Sequence, residues 1–141
     1  MNTDQIIENS VDQVLNDYIF RDSTGDLKKP KLLDIAKLVT KHVPVGGKIL
    51  DFGSGAGFFS RLFDSKKYLG VDINKNFIKV SRDKNQNYRF RILENDYLKG
   101  FEKKIDLIFI NNVLHHLSDD QILKTFSYFE KKLKSKTEFF I

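Results

Sequence analysis

The 141-residue chain contains no cysteine, which excludes a disulfide scaffold, a thiolate zinc site and a cysteine nucleophile and leaves the redox compartment open. Long apolar runs are also missing, since no stretch approaches the ~18 consecutive apolar residues of a membrane span. The opening residues MNTDQIIENSVDQ place acids where a secretory leader needs a basic patch and an apolar run. The chain therefore reads as cytoplasmic, with no membrane partner. Tryptophan is absent as well. The 13 phenylalanines include Phe52, Phe58, Phe59, Phe63, Phe126 and Phe129 at core spacing, which reads as packing rather than as a base-stacking surface.

What is present is the composition of a globular protein, with 40% hydrophobic and 30% charged residues in a length that suits one contiguous core. Lysine and arginine outnumber aspartate and glutamate by 24 to 19, a net charge of +5. Such a balance attracts phosphates. The lysines are spread along the chain (Lys28, Lys66, Lys103, Lys131 and others) and form no arginine-rich block, the pattern of solvated helix faces.

Residues 3–20 place Ile6, Ile7, Val11, Val14, Leu15, Tyr18 and Ile19 on one face of a predicted helix. A polar turn at Ser23–Asp26 follows, and a second helix is expected from Pro30, where a missing N–H costs nothing, to just before Pro44. From Lys48 the pattern becomes the βαβ rhythm of a parallel sheet. Strands are expected at 48–52, 67–72, 88–93, 105–110 and 137–141, with helices at about 57–65, 75–83 and 119–134. Ser118-Asp-Asp-Gln121 has the form of a capping box, with Ile122, Leu123, Phe126, Phe129 and Leu133 as the buried stripe behind it. The domain reading is a helical lid over 1–46, set above the carboxyl ends of the strands, and an α/β core over 47–141. Tyr18, Phe20 and Arg21 are its candidates for closing over a ligand or for plain helix-end packing.

The informative segment is Lys48-Ile-Leu-Asp-Phe-Gly-Ser-Gly-Ala-Gly-Phe-Phe-Ser60, an apolar strand that runs into glycines at alternate positions. Gly53, Gly55 and Gly57 allow a tight turn and close approach of a ligand. The dinucleotide fingerprint needs a glycine at position 58, where Phe58 stands. Acids close two strands, Asp51 and Asp72. The second can accept both hydroxyls of a ribose, and the first can hold a ligand ammonium directly or through water. A ligand with a ribose and an amino-acid group but no phosphate suits this pattern better than NAD. A plain βα turn with no ligand would not require acids at both strand ends.

These residues resemble the class I S-adenosylmethionine-dependent methyltransferases, whose glycine motif reads as Asp51-Phe-Gly-Ser-Gly-Ala-Gly57 does here. The resemblance covers roughly residues 47 to 141. It implies a Rossmann-like, doubly wound α/β fold with a parallel five-stranded sheet in the order 3-2-1-4-5, helices on both faces, and S-adenosylmethionine as cofactor. The site residues it implies are Asp51, Gly53, Ser54, Gly55 and Gly57 at the glycine turn, with Asp72 on the ribose and Ile73 against the adenine. It further implies Asp96 facing the exocyclic amine, with Tyr97 beside it, and Asn111 offering its carbonyl to the ligand ammonium. No metal is implied.

Transfer from a sulfonium depends mainly on holding nucleophile and methyl in line, so a base is optional. His115 and His116 are the imidazoles near the expected site. As consecutive residues they are not expected to point the same way; His116 is the candidate base or a structural histidine, and His115 the more exposed of the two. His42 ends a helix and is assigned no chemistry. Asn111-Asn-Val-Leu114 lacks the Asn/Asp-Pro-Pro-aromatic motif with which amino-methyltransferases grip a flipped base. The expected function is methyl transfer to a small-molecule acceptor. A methyltransferase-like binding or scaffold module and an RNA methyltransferase are the alternatives.

The family's sheet has seven strands, and strands six and seven have no counterpart here. Thr137-Glu-Phe-Phe-Ile141 would then form an apolar edge, from which a homodimer through residues 137–141 is the expectation, against a monomer with that edge covered.

Overall fold

The computed structural model describes residues 2, 4–5, 8–9, 25–42, 46–57, 59–110 and 113–141, without the side chains of 25–32. Of the predicted first helix only residues 4–5 and 8–9 are described, and they are helical. Tyr18, Phe20, Arg21, Phe58 and Asn111 lie outside the described residues.

Five strands form one parallel sheet in the order β3-β2-β1-β4-β5. They are β1 (Ile49–Phe52), β2 (Tyr68–Asp72), β3 (Arg89–Ile92), β4 (Leu107–Ile110) and β5 (Glu138–Phe140). The fold class and strand order are those expected, and each strand lies inside its expected range. Central β1 and β4 are buried at every residue, as short all-apolar runs between two helical layers should be.

Alternation along the strands divides the core in two. Ile49, Tyr68, Phe90, Leu107 and Phe109 face one side, where they meet Ile35 and Val39 of α1 (Gly25–His42) and Ile78 of α2 (Lys75–Lys84). Leu50, Phe52, Leu69, Val71, Ile108 and Ile110 face the other, where Leu98, Phe101 and Ile105 and then Phe129 and Leu133 cover them, Phe129 coming from α3 (Asp119–Lys132). The carboxyl-terminal half of α1 thus lies against a sheet face. The helix starts at Gly25, ahead of the expected Pro30, so that Pro30 lies inside it without an N–H to donate.

Two local expectations are overturned. No α-helix forms among the described residues of 57–65. Gly57 has φ +85°, outside the helical region, and the chain makes two 3-10 turns at Ser60–Leu62 and Ser65–Lys67 instead. Between them Phe63 is extended, which brings both Phe59 and Phe63 into the core. On α3, Leu123 is 66% exposed rather than part of the buried stripe. Positions 122, 126, 129 and 133 follow the helical period, and Leu123 falls about 100° off that line. The capping box forms as read: Gln121 N donates to Ser118 Oγ, and Ser118 N donates to Gln121 Oε1.

The amino ends of the strands are fastened by Asp106, which accepts from Lys48 N at 2.8 Å and pairs with Lys134. Burial raises the carboxyl's affinity for a proton, but the Lys134 and Lys48 interactions outweigh it and hold Asp106 below the usual range.

Gly70 is the tightest point of β2. A Cβ there would lie 2.7 Å from Phe90 Cδ1 and 3.0 Å from Ser54 Cβ, so the bare backbone lets a β3 ring and the glycine turn close over β2. Gly70→Ala is expected to destabilise the domain by about 1–3 kcal/mol through overpacking, read as a lower urea midpoint at unchanged slope.

Candidate functional site

In an open parallel sheet the strands on either side of the reversal in order part at their carboxyl ends and leave a crevice. Here that reversal falls between β1 and β4. A cavity of about 430 Å³ occupies the crevice, within the range of small-molecule sites. Gly53 and Gly55 line it after β1, Asp72 and Ile73 after β2, and Val113, His116 and Leu117 after β4. Five of the residues named from sequence, Gly53, Gly55, Asp72, Ile73 and His116, therefore share one cavity.

Hydrogen bonds to β2 hold the glycine turn. Gly53 N and Ser54 N both donate to the carbonyl of Val71, at 2.8 and 2.9 Å, and Gly55 N donates to Asp72 Oδ2 at 2.9 Å. Asn74 N donates to Asp72 Oδ1 at 2.8 Å, and the Asn74 side chain caps α2 by accepting from Asn76 N and Phe77 N. Each Asp72 oxygen thus accepts one backbone N–H and keeps capacity for a second donor. Gly53 is required by contact as well as by its φ of +80°: a Cβ there would lie 2.1 Å from Val113 Cγ2. Gly57 packs against Asn85 and Phe90 and shapes the turn from behind.

Beside the turn, Ile73 is 70% and Phe77 47% exposed, both along the cavity wall. Exposed apolar surface rimmed by a carboxylate fits a flat heteroaromatic ring joined to a hydroxylated sugar. Ser54 is buried, and its Oγ has no partner among the described residues.

Asp51 lies beneath the turn, 2% exposed, and its Oδ2 accepts from Tyr68 OH at 2.6 Å. Burial, opposed by that hydrogen bond and helped by the nearby Asp72 charge, raises its pKa to about 7.

Asp96 and Tyr97 are not brought to this cavity. They line a neighbouring one of about 360 Å³ together with Lys124, Thr125 and Tyr128 of α3, and Leu93 borders both. Asp96, at φ +54°, accepts from Tyr128 OH at 3.1 Å and pairs with Lys132 at 3.1 Å; these bonds keep its carboxyl below the usual range. Tyr97 stacks on Tyr128 with ring centroids 4.6 Å apart, and burial raises its phenol pKa.

The two histidines do not diverge as expected. A 3-10 turn at Leu114–His116 sets their rings together, centroids 3.8 Å apart, with His116 lining the cavity and both exposed. Val113, Leu117 and Gln121 were not singled out for the site, and their place in it follows only from how the chain turns after β4. A cavity of about 440 Å³ between α3 and β5, lined by Phe126, Phe139 and Lys134 among others, contains none of these groups. Among the described residues no cluster suited to a metal occurs, and no helix is long and apolar enough to cross a membrane.

Residues 50–138 match a family model described as a methyltransferase domain. The chain is 30% identical over 101 residues to the ribosomal RNA small subunit methyltransferase A of Mesomycoplasma hyopneumoniae, an alignment taking in 69% of this chain and 39% of that protein. A TehB-like SAM-dependent methyltransferase from Corynebacterium glutamicum superimposes with a TM-score of 0.58 at 25% identity, over 72% of this chain and 56% of that one. The PH0226 protein from Pyrococcus horikoshii shares the fold at a TM-score of 0.65 and 22% identity, over 84% of this chain and 57% of that one. The chain thus spans less than two thirds of each.

The raised pKa of Asp51 has a definite sign. Between about pH 4 and 7 the folded state keeps a proton that the unfolded chain has lost, so stability from this group is greatest at low pH and falls as pH rises to about 7. Asp51→Asn removes the buried charge and is expected to raise stability by a few kcal/mol at pH 8, with a smaller gain at pH 5, in paired thermal melts.

Proposed function

Since this chain belongs to the methyltransferase domain family, we propose that the cavity at the carboxyl ends of its strands binds S-adenosylmethionine and that the methyl group passes to a small-molecule acceptor. The observation that carries the reading is the meeting, in one cavity, of the bare Gly53–Gly55 turn, the Asp72 carboxylate and the exposed Ile73 and Phe77 side chains. When bound, S-adenosylmethionine supplies a methyl group on a sulfonium, open to in-line displacement with S-adenosylhomocysteine as product.

The chain's own groups divide the remaining work. Asp72 accepts ribose hydroxyls with the lone pairs its backbone donors leave, and Ile73 and Phe77 cover the base and exclude water. Asp51, buried under the turn and protonated up to about pH 7, turns a negative charge toward an ammonium once it ionises. Ser54 Oγ, buried without a partner among the described residues, adds a polar group at the same turn. His116 stands where it can accept a proton from a hydroxyl or acidic-carbon acceptor; an amine acceptor would not need it. Among the described residues lining the cavity there is no lysine or arginine, which favours a small acceptor over a polyanion inside the cavity itself. An RNA acceptor is the second reading, favoured by the likeness to a ribosomal RNA methyltransferase.

Calorimetric titration tests the cofactor. S-adenosylhomocysteine should bind and NAD should not; the reverse would refute the assignment. Asp72→Ala is expected to weaken S-adenosylhomocysteine by ~1.5–3 kcal/mol through loss of a charge-assisted acceptor, and unchanged affinity would place the ribose elsewhere.

A further inference from the structure

The spread of basic residues in the sequence hides a cluster that the sheet assembles. Arg89 and Arg91 are alternate residues of β3, in register with Leu69 and Val71, and so face the same side of the sheet. Both guanidinium groups approach the ring of Phe101, at 5.6 and 5.2 Å from its centroid, and Lys48, just before β1, brings its ammonium to 5.9 Å. Three cations thus surround one aromatic ring, and no two lie more than about 12 Å apart, a separation close to the screening length of physiological salt.

Packing alone does not call for this arrangement. Covering Phe101, 5% exposed, calls for apolar stems on its ring and not for three charged heads gathered there. Among the described residues no carboxylate is ion-paired with any of the three. Asp106 feels the Lys48 charge, but its carboxylate is engaged by Lys134. Arg91 donates to the carbonyls of Tyr97 and Lys99, which fixes its guanidinium without neutralising it. Along the same edge strand Arg82 donates to the Phe90 carbonyl at 2.9 Å, which adds a fourth cation at the sheet margin. Lys99, Lys103 and Lys104 are exposed on the loop that carries Phe101.

We propose that the β3 margin, with Lys48, Arg89 and Arg91 gathered on Phe101, is a docking surface for the phosphate backbone of single-stranded RNA. A row of phosphates supplies the counter-charge that the fold leaves out, and release of their counterions drives the association. Arg91 is fixed by its two carbonyl partners before the strand arrives, so that side chain loses little freedom on binding. The surface stands apart from the cavity of Asp72 and goes beyond the cofactor assignment. RNA held there serves to bring the domain to its target, whichever molecule accepts the methyl group.

The test is anisotropy of a labelled single-stranded oligoribonucleotide titrated with the protein between about 50 and 200 mM salt. The expected result is salt-sensitive binding that Lys48→Gln/Arg89→Gln weakens several-fold, flattening the log–log salt slope by about 1.4, which is two phosphate contacts at 0.7 each. Lys131→Gln/Lys136→Gln removes the same charge from α3 and the turn before β5 and should leave most of the binding intact. Thermal melts verify that both double variants fold, and Arg89→Gln alone serves if the Lys48 change unfolds the chain. Absence of salt-sensitive RNA binding, or equal losses in the two double variants, would overturn the proposal. So would retention on phosphatidylserine vesicles without retention of RNA. Because S-adenosylhomocysteine binding is measured separately, failure here and failure of the cofactor assignment are distinguishable.

Discussion

The carboxylate of Asp72 ties together the pieces on which the site depends. One oxygen holds Gly55 of the turn after β1, and the other holds Asn74, whose side chain starts α2. With Val71 accepting from Gly53 and Ser54, the end of β2 serves as the frame on which the glycine turn is laid. A ligand hydroxyl reaching Asp72 therefore meets a group already fixed by backbone donors, so binding orders little that was not ordered before.

That frame is possible because β2 is bare at Gly70. The ring of Phe90 crosses the strand there, and Ser54 descends to the same point. The buried acid beside it carries a cost. Asp51 is enclosed with Tyr68 as its hydrogen-bonding partner, and burial raises its pKa to about 7. Ionising that carboxyl therefore opposes the stability of the fold. The Ser54 hydroxyl is likewise buried, without a partner among the described residues.

The two ends of the sheet are built differently. At the amino end Asp106 accepts from the Lys48 backbone N–H and pairs with Lys134, and Lys103 donates to the Leu133 carbonyl to hold α3 down. At the carboxyl end apolar side chains stand exposed around a carboxylate. Along β3 cations gather without acids.

Much of this was legible in the residues themselves. Periodicity placed all five strands, and the acid-and-glycine spacing located the turn, because strand alternation and glycine geometry are local properties. Local pattern also has limits that these residues illustrate. Nothing near Gly57 announces that its positive φ stops a helix from forming over 57–65, and nothing near Leu123 shows which side of α3 the sheet will cover. The departure of Asp96 into a second cavity depends on Tyr128 and Lys132, more than thirty residues away in sequence. The meeting of Lys48, Arg89 and Arg91 on Phe101 likewise depends on the lateral order of strands. The sequence by itself determined the five strands, their order along the chain and the position of the glycine turn; only the tertiary structure decided which distant side chains share a cavity or a charge cluster, because side chains far apart in sequence meet only when the whole sheet packs.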